Sequence, residues 1–154
     1  MSYQNILEEI ENEISTITID RPKKLNALNR ETILELHQAF KAAKDNDEVK
    51  VVIITGSGEK AFVAGADISE FADYSPKEGK KLSADGQEKL FDYVANFPKP
   101  VIAAVNGFAL DGPTAYPPPG VIIHLIVLYL TSAGSQSASS GICLTIIAFF
   151  SPYN

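Results

Sequence analysis

The feature that most constrains this chain is the abrupt end of its charged residues. All 13 Lys and Arg residues and all 19 Asp and Glu residues lie between Met1 and Asp111, and none occurs from Gly112 to Asn154. Soluble domains carry charge at about a quarter of their positions. The sequence therefore predicts two unlike parts, a charged part over residues 1–112 and an uncharged, apolar and Ser-rich tail over residues 113–154.

Composition excludes several classes of protein. A net charge of −6 without a cluster of Lys and Arg argues against a nucleic-acid partner, because phosphate binding needs a basic face. The single cysteine, Cys143, cannot form a disulfide within the chain, which favours a reducing compartment. The first residues lack the basic-then-apolar order of a secretion signal. We therefore expect a cytoplasmic protein.

The charged part alternates strand and helix patterns. Strands are predicted over residues 3–9, 14–19, 51–55 and 101–105, and helices after Asn29 and over residues 76–97. The first two strands are predicted to form a hairpin. The last two are continuous apolar runs, as expected of parallel strands that are buried on both faces, and the helix between them makes a βαβ unit. The fold class predicted is α/β.

Two glycine-containing loops follow the two apolar strands. The first loop covers residues 62–68 and the second covers residues 106–112. Small residues leave backbone N–H groups accessible, so a ligand oxygen can approach the N–H of Ala66. Donors from two such loops can converge on one developing oxyanion. The alternative is that both loops are tight turns whose small residues serve packing.

Three segments of the charged part resemble the crotonase superfamily, and within it most nearly the enoyl-CoA hydratases. They are RPKKLNAL (residues 21–28), FVAGADI (residues 62–68) and KPVIAAVNGFAL (residues 99–110), in the family's order and spacing. The resemblance implies a crotonase-like spiral of ββα turns, of which residues 3–112 would form the N-terminal half. It also implies trimers or pairs of trimers that act on acyl-CoA thioesters, with the thioester as substrate and no separate cofactor or metal.

The resemblance also implies site residues. The oxyanion hole of the family maps to the backbone N–H groups of Ala66 and Gly112. The segments that contact coenzyme A and the acyl and pantetheine path map to Lys24, Leu25, Ala27, Ala64, Asp67 and Ile68. Hydration of an enoyl thioester places negative charge on the carbonyl oxygen, which two fixed amides stabilise. Losing one such donor typically costs about 10²–10³ in rate.

The sequence departs from the family where the catalytic acids are expected. The hydratases use two glutamates beyond the second glycine loop, but Ala115 occupies the first position and no Asp or Glu follows Asp111. Pro113 stands where the family has a third glycine. Asp111 is a poor substitute, because it is a single acid whose charge would repel the enolate, and we expect it to face solvent in a turn. Hydration is therefore expected to be impaired.

The uncharged tail contains apolar runs at residues 121–130 and 142–150. Neither reaches the ~20 residues that span a bilayer, so a membrane segment is not expected. His124 has no second metal-ligand cluster near it, and His37 is expected on the polar side of its helix. Cys143 is expected to be a small apolar residue. We hypothesise that a reading-frame shift or a mis-joined gene segment replaced the family sequence after Asp111, including its trimer-forming part.

Three functions remain open from the sequence. The first is a member of the enoyl-CoA hydratase/isomerase family with little or no turnover. The second is a non-catalytic protein that binds acyl-CoA or a complete subunit. The third is a membrane-associated or aggregation-prone fragment whose apolar tail drives association. Crotonyl-CoA hydration distinguishes the first from the others, and detergent partitioning distinguishes the second from the third.

Overall fold

The computed structural model describes residues 3–67, 69, 74–109, 125–132 and 142–148. The strands are β1 (Ile6–Glu11), β2 (Ile14–Ile19), β3 (Val51–Gly56), β4 (Ala61–Val63), β5 (Val101–Val105), β6 (Phe108–Ala109), β7 (Leu125–Ser132) and β8 (Ile142–Ala148). The helices are α1 (Arg30–Asp45), α2 (Pro76–Gly86) and α3 (Tyr93–Ala95), with a 3-10 turn at Pro22–Lys24 and a π-helical turn at Gln87–Asp92. The fold is α/β, as predicted.

The main sheet has the strand order β1-β2-β3-β5-β7-β8. The predicted hairpin is confirmed, because β1 and β2 pair antiparallel. Its turn consists of Asn12 and Glu13, which both have positive φ, at 50° and 66°. Such a two-residue turn matches the twist of the strands that it connects. The first strand therefore runs on to Glu11 instead of ending at residue 9, and it begins at Ile6 instead of residue 3.

The predicted βαβ unit is also confirmed, since β3 and β5 pair in parallel with Val52 opposite Val101. The expectation that both strands are buried on both faces was wrong. Val52 is buried, whereas its neighbours Val51 and Ile53 are partly exposed. The core cluster of α1 and residues 90–97 packs against the face that carries Val52. In the described part of the chain, one face of the sheet is therefore the more deeply buried.

The core lies between that face and α1. Asn29 begins the helix, because its side chain accepts a hydrogen bond of 2.9 Å from the Thr32 backbone N–H. Leu36 and Phe40 are fully buried, and the Phe40 and Phe97 rings meet edge to face at 5.4 Å. The structure thus places the second predicted helix against the first.

The sequence predicted one continuous helix over residues 76–97, but the structure shows an interrupted one. A π-helical turn separates α2 from α3, and the Lys89 carbonyl within it pairs with His37 Nδ1 at 2.7 Å. A side-chain bond into the helix ladder is one known cause of such irregularity. His37 is half-buried and meets the Tyr93 ring at 4.6 Å, so it lies beside the buried face of α1 and contacts the second helix.

The uncharged tail contributes two strands to the same sheet. Strand β7 pairs in parallel with β5, with Val101 opposite Leu125, and β8 pairs antiparallel with β7. The domain boundary at residue 112 stays a prediction. Among the helices of the described residues, none combines the length and the apolar character that crossing a membrane requires.

Candidate functional site

The first glycine loop is bonded along its length to the segment that precedes α1. The hydrogen bonds run from Ala64 N to Leu25 O (3.1 Å), from Leu28 N to Gly65 O (2.8 Å) and from Asp67 N to Leu28 O (2.9 Å). Leu28 thus bonds the residues on both sides of Ala66, with which it forms a parallel bridge. Backbone groups of a bridged residue that its partner does not use point to the other side. The Ala66 N–H therefore faces away from Leu28.

Within the part of the chain that the structure describes, the Ala66 N–H is left without a partner. Ala66 is exposed, and its N–H has no acceptor among the residues that the structure describes. Gly65, immediately before it, has a φ of +88°, a conformation that favours glycine. The glycine lets the chain turn so that Ala66 presents its donor outward. The loop thus supplies one fixed backbone donor, at the position predicted from the sequence.

An ion pair lies beneath this loop. Arg21 Nη2 is 2.9 Å from Asp67 Oδ2, and both side chains are largely buried. The Ser69 hydroxyl and backbone N–H donate to the other Asp67 oxygen at 2.5 and 3.2 Å. The Ser69 hydroxyl, then the Arg21 guanidinium, and more weakly the charge of Lys24 hold the pKa of Asp67 below its ordinary 3.8, against the opposing effect of burial. The carboxylate is therefore ionised at neutral pH.

This lowered pKa predicts a pH dependence of stability. A carboxyl whose pKa is lower in the folded state stabilises the fold above its unfolded pKa, and this contribution disappears as the pH falls through the folded value. We expect wild type to exceed Asp67→Asn in unfolding free energy at about pH 6, with the difference shrinking as the pH falls below 3.8. Urea unfolding of both proteins across this range measures it. A difference in unfolding free energy that stays constant with pH would contradict the lowered pKa of Asp67.

Asn26 ties the segment before α1 to the strand that leads into the loop. Its side chain is fully buried and accepts a hydrogen bond from Arg21 N at 3.0 Å. Its amide donates to Ser57 O at 3.0 Å and to Ala61 O at 2.8 Å. Since β4 begins at Ala61 and runs directly into the loop, Asn26 fixes the base of the loop.

Asn106 performs a similar task for the second glycine loop. Its Oδ1 accepts from Gly56 N at 3.2 Å, and its Nδ2 donates to Gly56 O at 2.8 Å and to Gly58 O at 2.5 Å. The next residue, Gly107, lies so close to the chain that an added Cβ would be 2.7 Å from the Lys60 carbonyl carbon. The second loop thus begins beside the strand that leads to the first.

The predicted substrate residues lie in part around the first loop. Lys24 and Leu25 are exposed, and Leu25 has a φ of +51°. Ala27 is buried, and Ala64 is half-buried. Asp67 is only 8% exposed and has both oxygens bonded within the protein, so the structure places it under the loop. The substrate role of these residues stays a prediction.

Several predicted positions lie outside the described residues. They are Ile68, Asp111, Gly112, Pro113, Ala115 and His124. The second oxyanion donor, assigned to Gly112, therefore stays a prediction, as does the arrangement after it. Cys143 falls in β8, of which the structure describes the backbone.

Sequence reasoning missed Arg21, Asn26 and Asn106 as residues that hold the site. All three stand inside the segments that carry the family resemblance. Asn26 and Asn106 each stand between small or apolar neighbours, and this was the signal that could have identified them, because a buried polar group needs hydrogen-bond partners. Arg21 is followed within three residues by two lysines and gave no such signal.

A cleft of about 520 Å³ lies elsewhere, between α1 and the segment that contains the π-helical turn. Its lining residues are His37, Lys44, Glu88, Lys89, Asp92, Tyr93, Asn96, Phe97 and Pro98. It shares no residue with either glycine loop. The free Ala66 donor, and not this cleft, defines the candidate site.

Comparison with known proteins identifies the family. The sequence profile of the enoyl-CoA hydratase/isomerase family matches residues 9–115. The chain belongs to the enoyl-CoA hydratase/isomerase family. The crotonase resemblance noted from the three sequence segments is thereby confirmed.

Individual relatives of this family agree with the match. The chain is 49% identical to a crotonyl-CoA hydratase of Syntrophomonas wolfei over 112 residues, which cover 73% of this chain and 43% of the relative. It is 47% identical to a short-chain-enoyl-CoA hydratase of Clostridium acetobutylicum, with 73% and 42% covered. A crystal structure of an enoyl-CoA hydratase subunit from Geobacillus kaustophilus matches with a TM-score of 0.61 and 36% identity, covering 68% of this chain and 39% of that one. The chain thus spans less than half the length of these relatives.

Proposed function

We propose that this chain binds acyl-CoA thioesters at its first glycine loop and polarises their carbonyl group through the Ala66 N–H, with little or no hydration. The observation that carries the proposal is the exposed Ala66 N–H, which has no acceptor among the described residues and lies between two residues that are bonded to Leu28. A donor that is fixed before the ligand arrives stabilises a developing oxyanion without reorganisation. Membership of the enoyl-CoA hydratase/isomerase family supports a thioester as the ligand.

The sequence supports the proposal that the chain hydrates the thioester little or not at all. Water addition requires a base for the water and an acid for the α-carbon, and two positioned carboxyls usually supply them. These 154 residues contain no Asp or Glu after Asp111, where the family resemblance implies two glutamates. A thioester held by the loop would therefore be polarised without efficient proton transfer. The best description of the function is an acyl-CoA-binding member of a hydratase family.

Replacing Ala66 with proline tests the donor directly. The Ala66→Pro substitution removes the N–H without breaking a hydrogen bond within the described part of the chain. We expect affinity for crotonyl-CoA to fall by up to about tenfold, because a hydrogen bond contributes about 0.5–1.5 kcal/mol net. Affinity for free coenzyme A, which lacks the thioester carbonyl, should not change. Isothermal titration of both ligands measures the effect.

The Ala66→Gly variant is the matched control, since glycine retains the N–H and removes only a methyl group. It should bind crotonyl-CoA as wild type does. Equal affinity of wild type and Ala66→Pro for crotonyl-CoA would overturn the proposed donor. The absorbance of crotonyl-CoA measures hydration in the same samples. Hydration at a rate typical of the family would contradict the proposal that the chain lacks the acids that proton transfer needs.

A further inference from the structure

The peptide group between Gly65 and Ala66 has its direction set by one bond. All described peptide bonds are trans, so the Gly65 carbonyl and the Ala66 N–H of this peptide point in opposite directions. The Gly65 carbonyl accepts from Leu28 N at 2.8 Å. The direction in which Ala66 donates therefore depends on how firmly Leu28 and the loop are held together.

Arg21 joins the segment that contains Leu28 to the first glycine loop, with one contact on either side of the Leu28 N–Gly65 O hydrogen bond. Its Nη1 donates to the carbonyl of Ala27, the residue before Leu28. Its Nη2 donates to Asp67 Oδ2 at 2.9 Å, and Asp67 is the residue after Ala66. A single planar guanidinium thus joins the neighbours of both bridged residues. Two fixed donors on one rigid group hold geometry better than one flexible ammonium can.

Asp67 is itself held from the other side. Its second oxygen accepts two hydrogen bonds from Ser69, and its backbone N–H donates to Leu28 O at 2.9 Å. The carboxylate therefore has a fixed orientation toward Arg21. Arg21 and Asp67 are largely buried, and the hydrogen bonds of both carboxylate oxygens and of Arg21 Nη1 and Nη2 end within the protein.

We propose that Arg21 and Asp67 are positioning residues that hold the Gly65–Ala66 peptide with its N–H directed at the thioester oxygen. The inference rests on the proposed function. It predicts that loss of either side chain disturbs the polarisation of a bound thioester more than it disturbs binding. The side chains of Arg21 and Asp67 hydrogen-bond to Ala27 O, to Ser69 and to each other but not to Ala66, so their loss acts on the alignment of the Ala66 donor and leaves the donor itself in place.

Cinnamoyl-CoA is a suitable probe, because hydrogen bonding to its conjugated carbonyl shifts its absorption to the red. Wild type at saturating protein should produce a red shift of the bound probe. Arg21→Met should bind the probe with nearly the wild-type Kd and lose most of that shift, and Asp67→Asn should lose most of the shift as well. If the ion pair only stabilises the fold, its loss would lower the unfolding temperature and leave the shift of the folded, bound protein intact. That result would overturn the proposal.

Lys23→Met is the matched control, since it removes one positive charge from the same exposed turn, and in the described residues Lys23 makes no hydrogen bond or ion pair with the loop. It should retain the full shift. Ser69→Ala is a milder variant in case the others fail to fold, because it removes one bond to Asp67 and leaves the ion pair in place. It should lose part of the shift, and an unchanged shift would count against the proposal.

Amide relaxation of the unliganded protein gives a second readout. The order parameter of Ala66 should lie near the rigid value of about 0.85 in wild type and fall toward about 0.6 in Arg21→Met and Asp67→Asn. This readout needs no ligand. If wild type fails to bind cinnamoyl-CoA, the proposed function is overturned, and the order parameter still decides the positioning role. An unchanged order parameter in both variants overturns that role.

Discussion

Asn26→Ala should lower the free energy of unfolding by about 4 kcal/mol. The substitution removes three short hydrogen bonds of a fully buried side chain, one accepted from Arg21 N and two donated to Ser57 O and Ala61 O. It also removes a longer bond of 3.4 Å that Asn26 Oδ1 accepts from the Ser57 hydroxyl. Each short bond contributes about 1 kcal/mol net, and the groups left behind are buried without partners. Asn26 also has a φ of +56°. Alanine tolerates this left-handed conformation less well than asparagine does, which adds about 1 kcal/mol.

Asn26→Gly separates the two causes. Glycine adopts the positive φ without strain, so its loss should be about 3 kcal/mol, the part that comes from hydrogen bonding. Urea unfolding of wild type and both variants gives the comparison. A loss of less than about 1 kcal/mol for Asn26→Ala would mean that the side chain does not hold the base of the loop.

Gly56→Ala should destabilise the fold by about 3 kcal/mol through steric overlap. An added Cβ would lie 2.5 Å from Phe62 O, 2.7 Å from Ala61 O and 2.7 Å from Asn26 Nδ2. Two of these atoms belong to the backbone of β4, which cannot move without shifting the loop that it precedes. The overlap therefore disturbs the stability of the fold and the position of the Ala66 donor together.

Gly79→Ala is the matched control, because an added Cβ there meets nothing within 4 Å. Gly79 lies within α2, where alanine is favoured over glycine by about 1 kcal/mol, so this variant should be slightly more stable than wild type. Guanidinium unfolding of the pair measures both effects. Equal stability of Gly56→Ala and Gly79→Ala would show that the β4 backbone shifts to accommodate the added Cβ at little cost, which would contradict the predicted overlap.

Local patterns predicted much of the fold. The strand at Ile14–Ile19 and the strand at Val101–Val105 match the predicted bounds, because alternation or an apolar run determines them directly. The β1 boundary depended on two positive φ values in the turn, and the break in the second helix coincides with a bond from a distant histidine. Neither is expressed in local periodicity, so the sequence alone could not predict them.

One part of the candidate site could likewise be predicted from the sequence, and another part could not. Small residues around Ala66 indicated an accessible donor, and the structure leaves that N–H free in its described part. The groups that hold the donor come from distant positions, 46 residues apart for the side chains of Arg21 and Asp67 and 35 apart for the Asn26 side chain and the Ala61 carbonyl. Spacing of this length carries no periodic signal, so only the folded chain shows these pairs.

The origin of the uncharged tail is open to a separate test. We propose that residues 113–154 reflect a reading-frame shift or a mis-joined gene segment, because charge ends within a few residues of the last family motif. Resequencing of the coding DNA should then show a Gly-Gly-x-Glu continuation in another frame or beyond a junction. The same DNA sequence in the same frame, without such a continuation, would contradict this proposal.

The most direct test of the account is the amide proton resonance of Ala66 during titration with butyryl-CoA, a saturated thioester that cannot be hydrated. If the Ala66 N–H donates to the thioester oxygen, its proton resonance should move downfield as the ligand binds. Free coenzyme A should leave it in place. A resonance that stays unchanged at saturating butyryl-CoA, or moves equally with coenzyme A alone, would contradict the central claim that this N–H is the donor.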